Sequence, residues 1–281
     1  MWSLVNRRPG RPLESHPRRL TAFALFLASL STGFEAFAAE PIDTDGPDFV
    51  ESSEVIGKHR FQYEADVVSQ RDRRPQTAGE TTSTPALLKY GIADTVELRL
   101  ETEGRIRIAN ESGDAGASSL QTGTGDTALG VKWHTQDREA VAGRPAISWI
   151  LHFDTPSGSD GLKGHGIRPS LRSVVTWDLP RNFALGLMPG IKYDATNDGH
   201  RFTSGIFGAV LNRRITETFR AFVEISVPQL APGRDGGTLA DWDIGAAYLL
   251  TNDTQLGVRT GVAANWNTPS HYLLFELAQR F

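Results

Sequence analysis

Hydrophobic and polar side chains alternate along most of the chain after residue 38, in runs bounded by Gly, Pro, Asn and Asp. In residues 145–155, for example, Ile147 and Trp149 alternate with Ser148 and His152. Successive side chains of a strand point to opposite faces, so each run predicts a strand with one apolar and one polar face. Twelve such runs are present, at 59–69, 81–91, 95–105, 125–135, 145–155, 167–179, 182–194, 201–212, 218–228, 239–250, 254–264 and 271–281.

The connections between these runs alternate between short and long. Short ones lie at 91–95, 179–182, 213–218 and 250–254, and long ones rich in Gly, Asp, Ser or Pro lie at 70–80, 105–124, 156–166, 195–200 and 228–238. Outer-membrane barrels have short periplasmic turns and longer outer loops. The pattern therefore predicts an all-β fold, an antiparallel up-and-down transmembrane β-barrel of about 12 strands.

The last run, HYLLFELAQRF, has an apolar face made by Leu273, Phe275 and Leu277 and ends on Phe281. Chain termini of soluble domains usually fray. A strand that closes a barrel at a membrane interface has a reason to end on an aromatic residue. We expect this strand to close the barrel and to be recognised by the barrel assembly machinery.

The first 38 residues predict a secretory signal peptide that is removed from the mature protein. Five arginines precede an apolar run at 20–30, and Ala36-Phe37-Ala38 follows as a cleavage site. The alternative is an N-terminal membrane anchor, but the apolar run is shorter than the roughly 20 residues of a membrane span. Residues 39–58 are acidic and predict an extended periplasmic lead-in, too short for a plug domain, and 59–281 form the barrel.

Charge and cysteine content exclude several classes. Removing residues 1–38 takes five Arg and two Glu from a net charge of −4, so the mature chain carries −7. A nucleic-acid partner would require a basic patch, so none is expected. The absence of cysteine excludes a disulfide scaffold in this exported chain.

The polar faces of the predicted strands carry charges of both signs. They allow cross-strand ion pairs and would line the lumen of a barrel. One interpretation is a selectivity lining, and the other is a salt-bridged filling that closes the lumen. The expected lumen residues are Glu97, Arg99, Glu101, Lys132, His152, Asp154, Arg172, Arg220, Glu224, Asp241, Asp243 and Glu276.

Few residues suggest catalysis. His152 and Asp154 share a face, and His134 on the neighbouring strand could approach them as a proton-coupled pair, although a hydrated lumen histidine gives the same pattern. A hydrolase would need a serine near a histidine, and Ser148, Ser157, Ser159, Ser170 and Ser204 qualify by type alone. Asp160, Lys163 and His165 in DGLKGHG could bind an anion or a metal, or simply form a flexible cover. We expect no enzyme activity and no cofactor.

Several segments resemble one known family. They are GPDFVESSEVIGKHRFQYEADV (46–67), STPALLKYGIADTVELRL (83–100), GTGDTALGVKWH (123–134), FDTPSGSDGLKGHGIRPSL (153–171) and YDATNDGHRF (193–202). They resemble the transporter family named for the MetA-pathway of phenol degradation. The resemblance implies an outer-membrane barrel that transports aromatic or other hydrophobic compounds, and it implies no mapped binding residues.

The sequence thus predicts a bacterial outer-membrane protein, in contact with outer-membrane lipid, for passive uptake of a small hydrophobic or aromatic solute. A closed-lumen structural or binding barrel is the first alternative. The second is a soluble periplasmic lipocalin-like barrel, in which the polar positions would face outward.

Overall fold

The computed structural model describes residues 40–74, 78–110, 119–140, 143–196 and 198–281. The predicted signal peptide at 1–38 lies outside these residues. The described strands are β1 (Phe61–Asp72), β2 (Gly79–Ser83), β3 (Ala86–Ala93), β4 (Val96–Thr102), β5 (Arg105–Asn110), β6 (Ser119–Thr124), β7 (Thr127–Gln136), β8 (Ala146–Thr155), β9 (Arg168–Leu179), β10 (Phe183–Ala195), β11 (Arg201–Arg214), β12 (Phe219–Leu230), β13 (Leu239–Thr251), β14 (Thr254–Ala263) and β15 (His271–Arg280).

These fifteen strands build a closed antiparallel barrel with twelve strand positions around its wall. From β7 to β15 each strand pairs with the next in the chain, and β15 pairs with β1 from Gln62↔Arg280 to Arg71↔His271. The second, third and fourth positions are each occupied by two consecutive short strands, namely β2 and β3, β4 and β5, and β6 and β7. The predicted fold class, strand number and closing role of the last strand are confirmed.

The divided positions differ from the sequence prediction, because residues 105–124 are predicted to form a loop. Their described parts form β5 and β6, which pair with each other beyond the body of the barrel. The break before β5 falls at Gly104, whose φ is +68°, and a Cβ there would meet the Thr84 carbonyl. The strand can therefore bend only because this residue is glycine. Ile and Arg alternate in β5 over only four residues, and β6 has one large apolar residue, Leu120, so neither matches the longer runs of the other strands.

The outward faces are apolar, as predicted. Trp133, Trp242 and Phe275 are each more than half exposed, whereas inward Glu97, Lys132 and Glu224 are almost fully buried. A soluble barrel has the opposite arrangement, with polar side chains outside, so the lipocalin-like alternative does not fit. Within the described residues, no helix is long and apolar enough to cross a membrane.

Candidate functional site: the barrel lumen

Residues 40–57, called the inner segment below, lie inside the barrel at the end where the short turns are found. The segment begins at the β13–β14 turn, where Ile42 N–H donates to the Asn252 carbonyl at 2.7 Å. It then rises to Val50, which packs with buried side chains of five strands, namely Ile150, Val174, Met188, Val210 and Phe222. It returns to the rim near Gly91, whose carbonyl accepts the His59 N–H at 2.8 Å. Sequence analysis expects a periplasmic lead-in here, and the structure instead places this extended segment among lumen side chains.

Lumen carboxylates hold the backbone of the inner segment. Glu224 accepts the N–H groups of Phe49 at 2.8 Å and Val50 at 2.7 Å. Glu97 accepts the Ile56 N–H at 3.0 Å. A buried peptide group outside a sheet needs such partners, and hydrogen bonds to ionised acceptors are the stronger kind. The segment is therefore docked by specific bonds along its length.

Asp45 is the electrostatic centre of the inner segment. Its carboxylate contacts Lys132 Nζ at 2.7 Å, Arg99 Nη1 at 2.7 Å and Lys89 Nζ at 3.0 Å. Lys89 and Arg99 stand directly opposite each other on β3 and β4, and like charges in that position repel. Of the carboxylates that the structure describes, Asp45 is the one that these three buried cations share, while Lys89 also pairs with Glu64 and Arg99 also pairs with Glu97.

Two further carboxylates of the inner segment pair with arginines of the wall. Glu51 contacts Arg99 Nη2 at 2.8 Å and also Arg172. Asp48 contacts Arg220 Nη2 at 2.8 Å. The acidic character of residues 39–58 thus serves to neutralise the inward-facing cations of the barrel.

Glycines on the inward faces make room for the inner segment. A Cβ at Gly208 would lie 2.6 Å from a methyl carbon of Val50, and one at Gly257 would lie 2.8 Å from Pro47. Both contacts are too close for any larger residue without displacement of the segment. The wall and the inner segment are therefore shaped to each other.

The twelve predicted lumen residues all lie on the inward faces of their strands. Glu97, Arg99, Glu101 and Lys132 join the ion pairs around Asp45 and Glu51, and Arg220 and Glu224 hold the inner segment from the opposite wall. Asp243 accepts the Tyr272 hydroxyl at 2.6 Å. Seven further residues complete these clusters and were not predicted from the sequence, namely Asp45, Asp48, Glu51, Glu64, Lys89, Arg259 and Tyr272.

His152 lies in the ion-pair network, as expected, but His134 does not join it. His152 Nε2 contacts Glu101 at 3.0 Å, and its Nδ1 is 3.9 Å from Asp154. His134 lies opposite Ser148 on the neighbouring strand, whereas His152 lies opposite Gly130. The expected group of two histidines and an aspartate is therefore not assembled.

His134 instead forms a row with Ser148 and Asp137. Its Nδ1 is 3.3 Å from Ser148 Oγ, and its Nε2 is 2.9 Å from Asp137. The order resembles a nucleophilic triad, but the Ser148 side chain is fully buried and its hydroxyl donates to the Ser53 carbonyl. His134 Nδ1 contacts the same carbonyl at 2.8 Å. The row therefore anchors the inner segment and leaves no access for a substrate.

A cavity of about 310 Å³ remains in the lumen beside the inner segment. Charged side chains from several strands line it, together with Pro47 and Phe49 of the inner segment and Leu87 and Leu274 of the wall. Its size is at the lower end for small-molecule sites. The lumen thus holds the inner segment and, beside it, a solute-sized space.

Asp126 fastens the loop before β9 to the long-loop end of the barrel. It accepts the backbone N–H groups of Gly158 at 2.9 Å and Gly164 at 2.8 Å, and it pairs with Arg168 at 2.7 Å. Burial would raise the pKa of this carboxyl, but Arg168 and the two N–H groups hold it below its usual range. Asp160 and Lys163 of the loop pair with each other at 2.6 Å on the surface. No group of three or more His, Asp or Glu in the described ranges is arranged to hold a metal ion.

The closed barrel with an apolar outer face and a charged lumen defines an outer-membrane β-barrel. The chain matches the family described as "Putative MetA-pathway of phenol degradation" over residues 44–281, and it belongs to that family.

Solved structures show the same fold. The COG4313 outer membrane channel from Pseudomonas putida F1 is 15% identical, with a TM-score of 0.64 over 84% of this chain and 99% of that chain. The NanC porin is 10% identical, with a TM-score of 0.53 over 76% and 98%. The KdgM porin is 10% identical, with a TM-score of 0.50 over 78% and 99%. These relatives are channels and porins rather than enzymes. Curated protein sequences contain no match to the chain.

Proposed function

We propose that the chain is a bacterial outer-membrane channel for passive uptake of small hydrophobic or aromatic compounds, and that the inner segment is its gate. The observation that carries the proposal is a lumen closed by a segment without secondary structure of its own. Residues 40–57 are held by side-chain bonds and ion pairs, not by strand pairing with the wall. Such a segment can leave the lumen while every pair of neighbouring strands stays intact.

The family match and the channel fold of the solved relatives support passage of a solute. The family description, which names phenol degradation, supports an aromatic solute. The proposal includes export through a signal peptide cleaved near residue 38, assembly through the C-terminal strand, and no catalytic step. The inward charges would then select among solutes when the gate is open.

A closed-lumen structural or binding barrel is the second candidate. The observation that favours it is the same filled lumen, in which ion pairs and packed side chains of the described residues surround a cavity of about 310 Å³. The two candidates differ in one respect, namely whether removal of the inner segment creates a conducting path.

Uptake in cells tests the proposed solute class. A strain lacking the protein is expected to take up labelled phenol or toluene more slowly at limiting concentration, and the complete chain is expected to restore the rate. Uptake of a small sugar in the same cells is the control, because it should not change. Equal aromatic uptake with and without the protein would refute the solute class, and slower uptake of the sugar as well would indicate a general pore.

A further inference from the structure

Asp66 and Glu276 form a pair of inward carboxylates to which the described residues supply no ion pair. They stand directly opposite each other on β1 and β15. In the part of the chain that the structure describes, neither side chain makes an ion pair or a hydrogen bond, and Glu276 Oε2 is fully buried without a partner. Like charges in this position repel, and burying an unpaired charge is costly. The pair is therefore incomplete unless a positive group or a shared proton joins it.

The surroundings of the pair make this feature unusual. Ten carboxylates and only three guanidinium groups line the cavity of about 310 Å³. Seven of the other eight carboxylates make ion pairs with Lys, Arg or His, and the eighth, Glu103, accepts the Asp126 backbone N–H. Among the described residues, Asp66 and Glu276 are thus the two cavity carboxylates with neither an ion pair nor a hydrogen bond, and Glu103 has a hydrogen bond but no ion pair.

Apolar side chains of the same cavity lie beside the pair. Phe49 and Leu87 line it, and so does Leu274, which precedes Glu276 by two residues on the same inward face. The Glu276 carboxyl itself lies against Gly46 of the inner segment and Gly257 of β14. A ligand here would meet carboxylate oxygens at one end and carbon surface along its body.

We propose that this cavity binds a small amphipathic amine, with its ammonium group between Asp66 and Glu276 and its apolar body against Phe49, Leu87 and Leu274. An ammonium group offers three hydrogen-bond donors and one positive charge. It therefore suits two carboxylates that have neither a donor nor a cation as a partner among the described residues. Proton sharing between the two carboxyl groups is the competing way to relieve the repulsion. The cavity exists in the closed chain, so this site goes beyond the proposed channel function and does not depend on it.

Calorimetric titration of the complete, detergent-solubilised mature chain at pH 7 tests the site with three probes of matched size. They are benzylamine, which is protonated at this pH, benzyl alcohol and benzoate. We expect benzylamine to bind at least about tenfold more tightly than benzyl alcohol, a difference of about 1.4 kcal/mol, and benzoate to show no binding. Asp66→Asn combined with Glu276→Gln should reduce benzylamine affinity to that of benzyl alcohol.

Glu103→Gln is the matched control, because it removes one negative charge from the same cavity but leaves the pair intact. It should retain the benzylamine preference. The two single substitutions, Asp66→Asn and Glu276→Gln, keep the test valid if the double variant does not fold. Equal affinity for all three probes would overturn the site and would favour a proton shared by the two carboxyl groups. If Glu103→Gln lost as much benzylamine affinity as the double variant, binding would be due to the overall negative potential of the lumen. Neither result would bear on conductance through the barrel.

Discussion

A mature chain that lacks residues 40–57 is expected to conduct ions across a planar lipid bilayer, whereas the complete chain stays closed. The strands, their register and the β1–β15 closure lie entirely outside the deleted segment. Deletion removes Val50 from the centre of the packed cluster and Asp45 from the three cations that surround it. Water can then enter and hydrate Lys89, Arg99 and Lys132. Side chains alone fill a barrel of eight strands, whereas sixteen or more strands leave an open channel. A barrel of twelve strands has an intermediate width, so we expect the inner segment to decide whether the lumen conducts.

Single-channel recording measures this effect directly. We expect discrete current steps from the deletion variant and none, or rare brief ones, from the complete chain. A variant in which residues 40–57 are replaced by a Gly/Ser sequence of equal length is the control for chain length, and it should conduct as the deletion does. A deletion variant that folds but carries no current would mean that the wall side chains close the lumen alone, which is the second candidate function.

Asp45→Asn is expected to have the largest effect of any single substitution in the inner segment. It keeps the side-chain volume but removes the charge shared by Lys89, Arg99 and Lys132, all of which are buried. Lys132 makes no other ion pair among the described residues, and removal of the partner of a buried charge typically costs about 3–5 kcal/mol because that charge loses its compensation. We expect the inner segment to undock, the denaturation midpoint in detergent to fall, and protease to cut between residues 40 and 57.

Asp160→Asn is the matched control for this prediction. Asp160 also makes a close ion pair, with Lys163 at 2.6 Å, but its side chain is almost fully exposed. Exposed pairs contribute little to stability, so neither the midpoint nor the protease pattern should change. Equal behaviour of Asp45→Asn and the unsubstituted chain would show that the inner segment does not depend on this charge cluster.

The barrel could be predicted from the sequence because its signal is local. A strand repeats every two residues, so Ile147, Trp149 and Leu151 report their common face within one short window. The inward charges could be predicted for the same reason, since Glu97, Arg99 and Lys132 occupy the polar positions of such windows.

The inner segment could not be predicted in this way, because it has no period of its own. Its partners lie far away in the chain, since Val50 bonds to Glu224 and Asp45 to Lys132. Its acidic residues and prolines are typical of a solvated linker, so the sequence pattern alone gives no sign of burial. Once the register is known, the facing cations Lys89 and Arg99 on β3 and β4 indicate a missing anion. The inward Gly208 and Gly257 likewise indicate that something approaches the wall closely.

The inner segment is expected to lie in the lumen of the barrel in the outer membrane itself. Disulfide formation between Val50→Cys and Gly208→Cys tests it most directly. The natural chain has no cysteine to interfere, and a Cβ at position 208 would lie 2.6 Å from a methyl carbon of Val50. Val50→Cys combined with Ser204→Cys is the control, because residue 204 faces inward on the same strand about 13 Å further along.

Mild oxidation of intact outer membranes is expected to cross-link the first pair and not the second, which appears as a change in gel mobility that reductant reverses. Absence of the first cross-link, with the cysteine at position 50 freely modified by a thiol reagent from the periplasmic side, would contradict this placement of the inner segment.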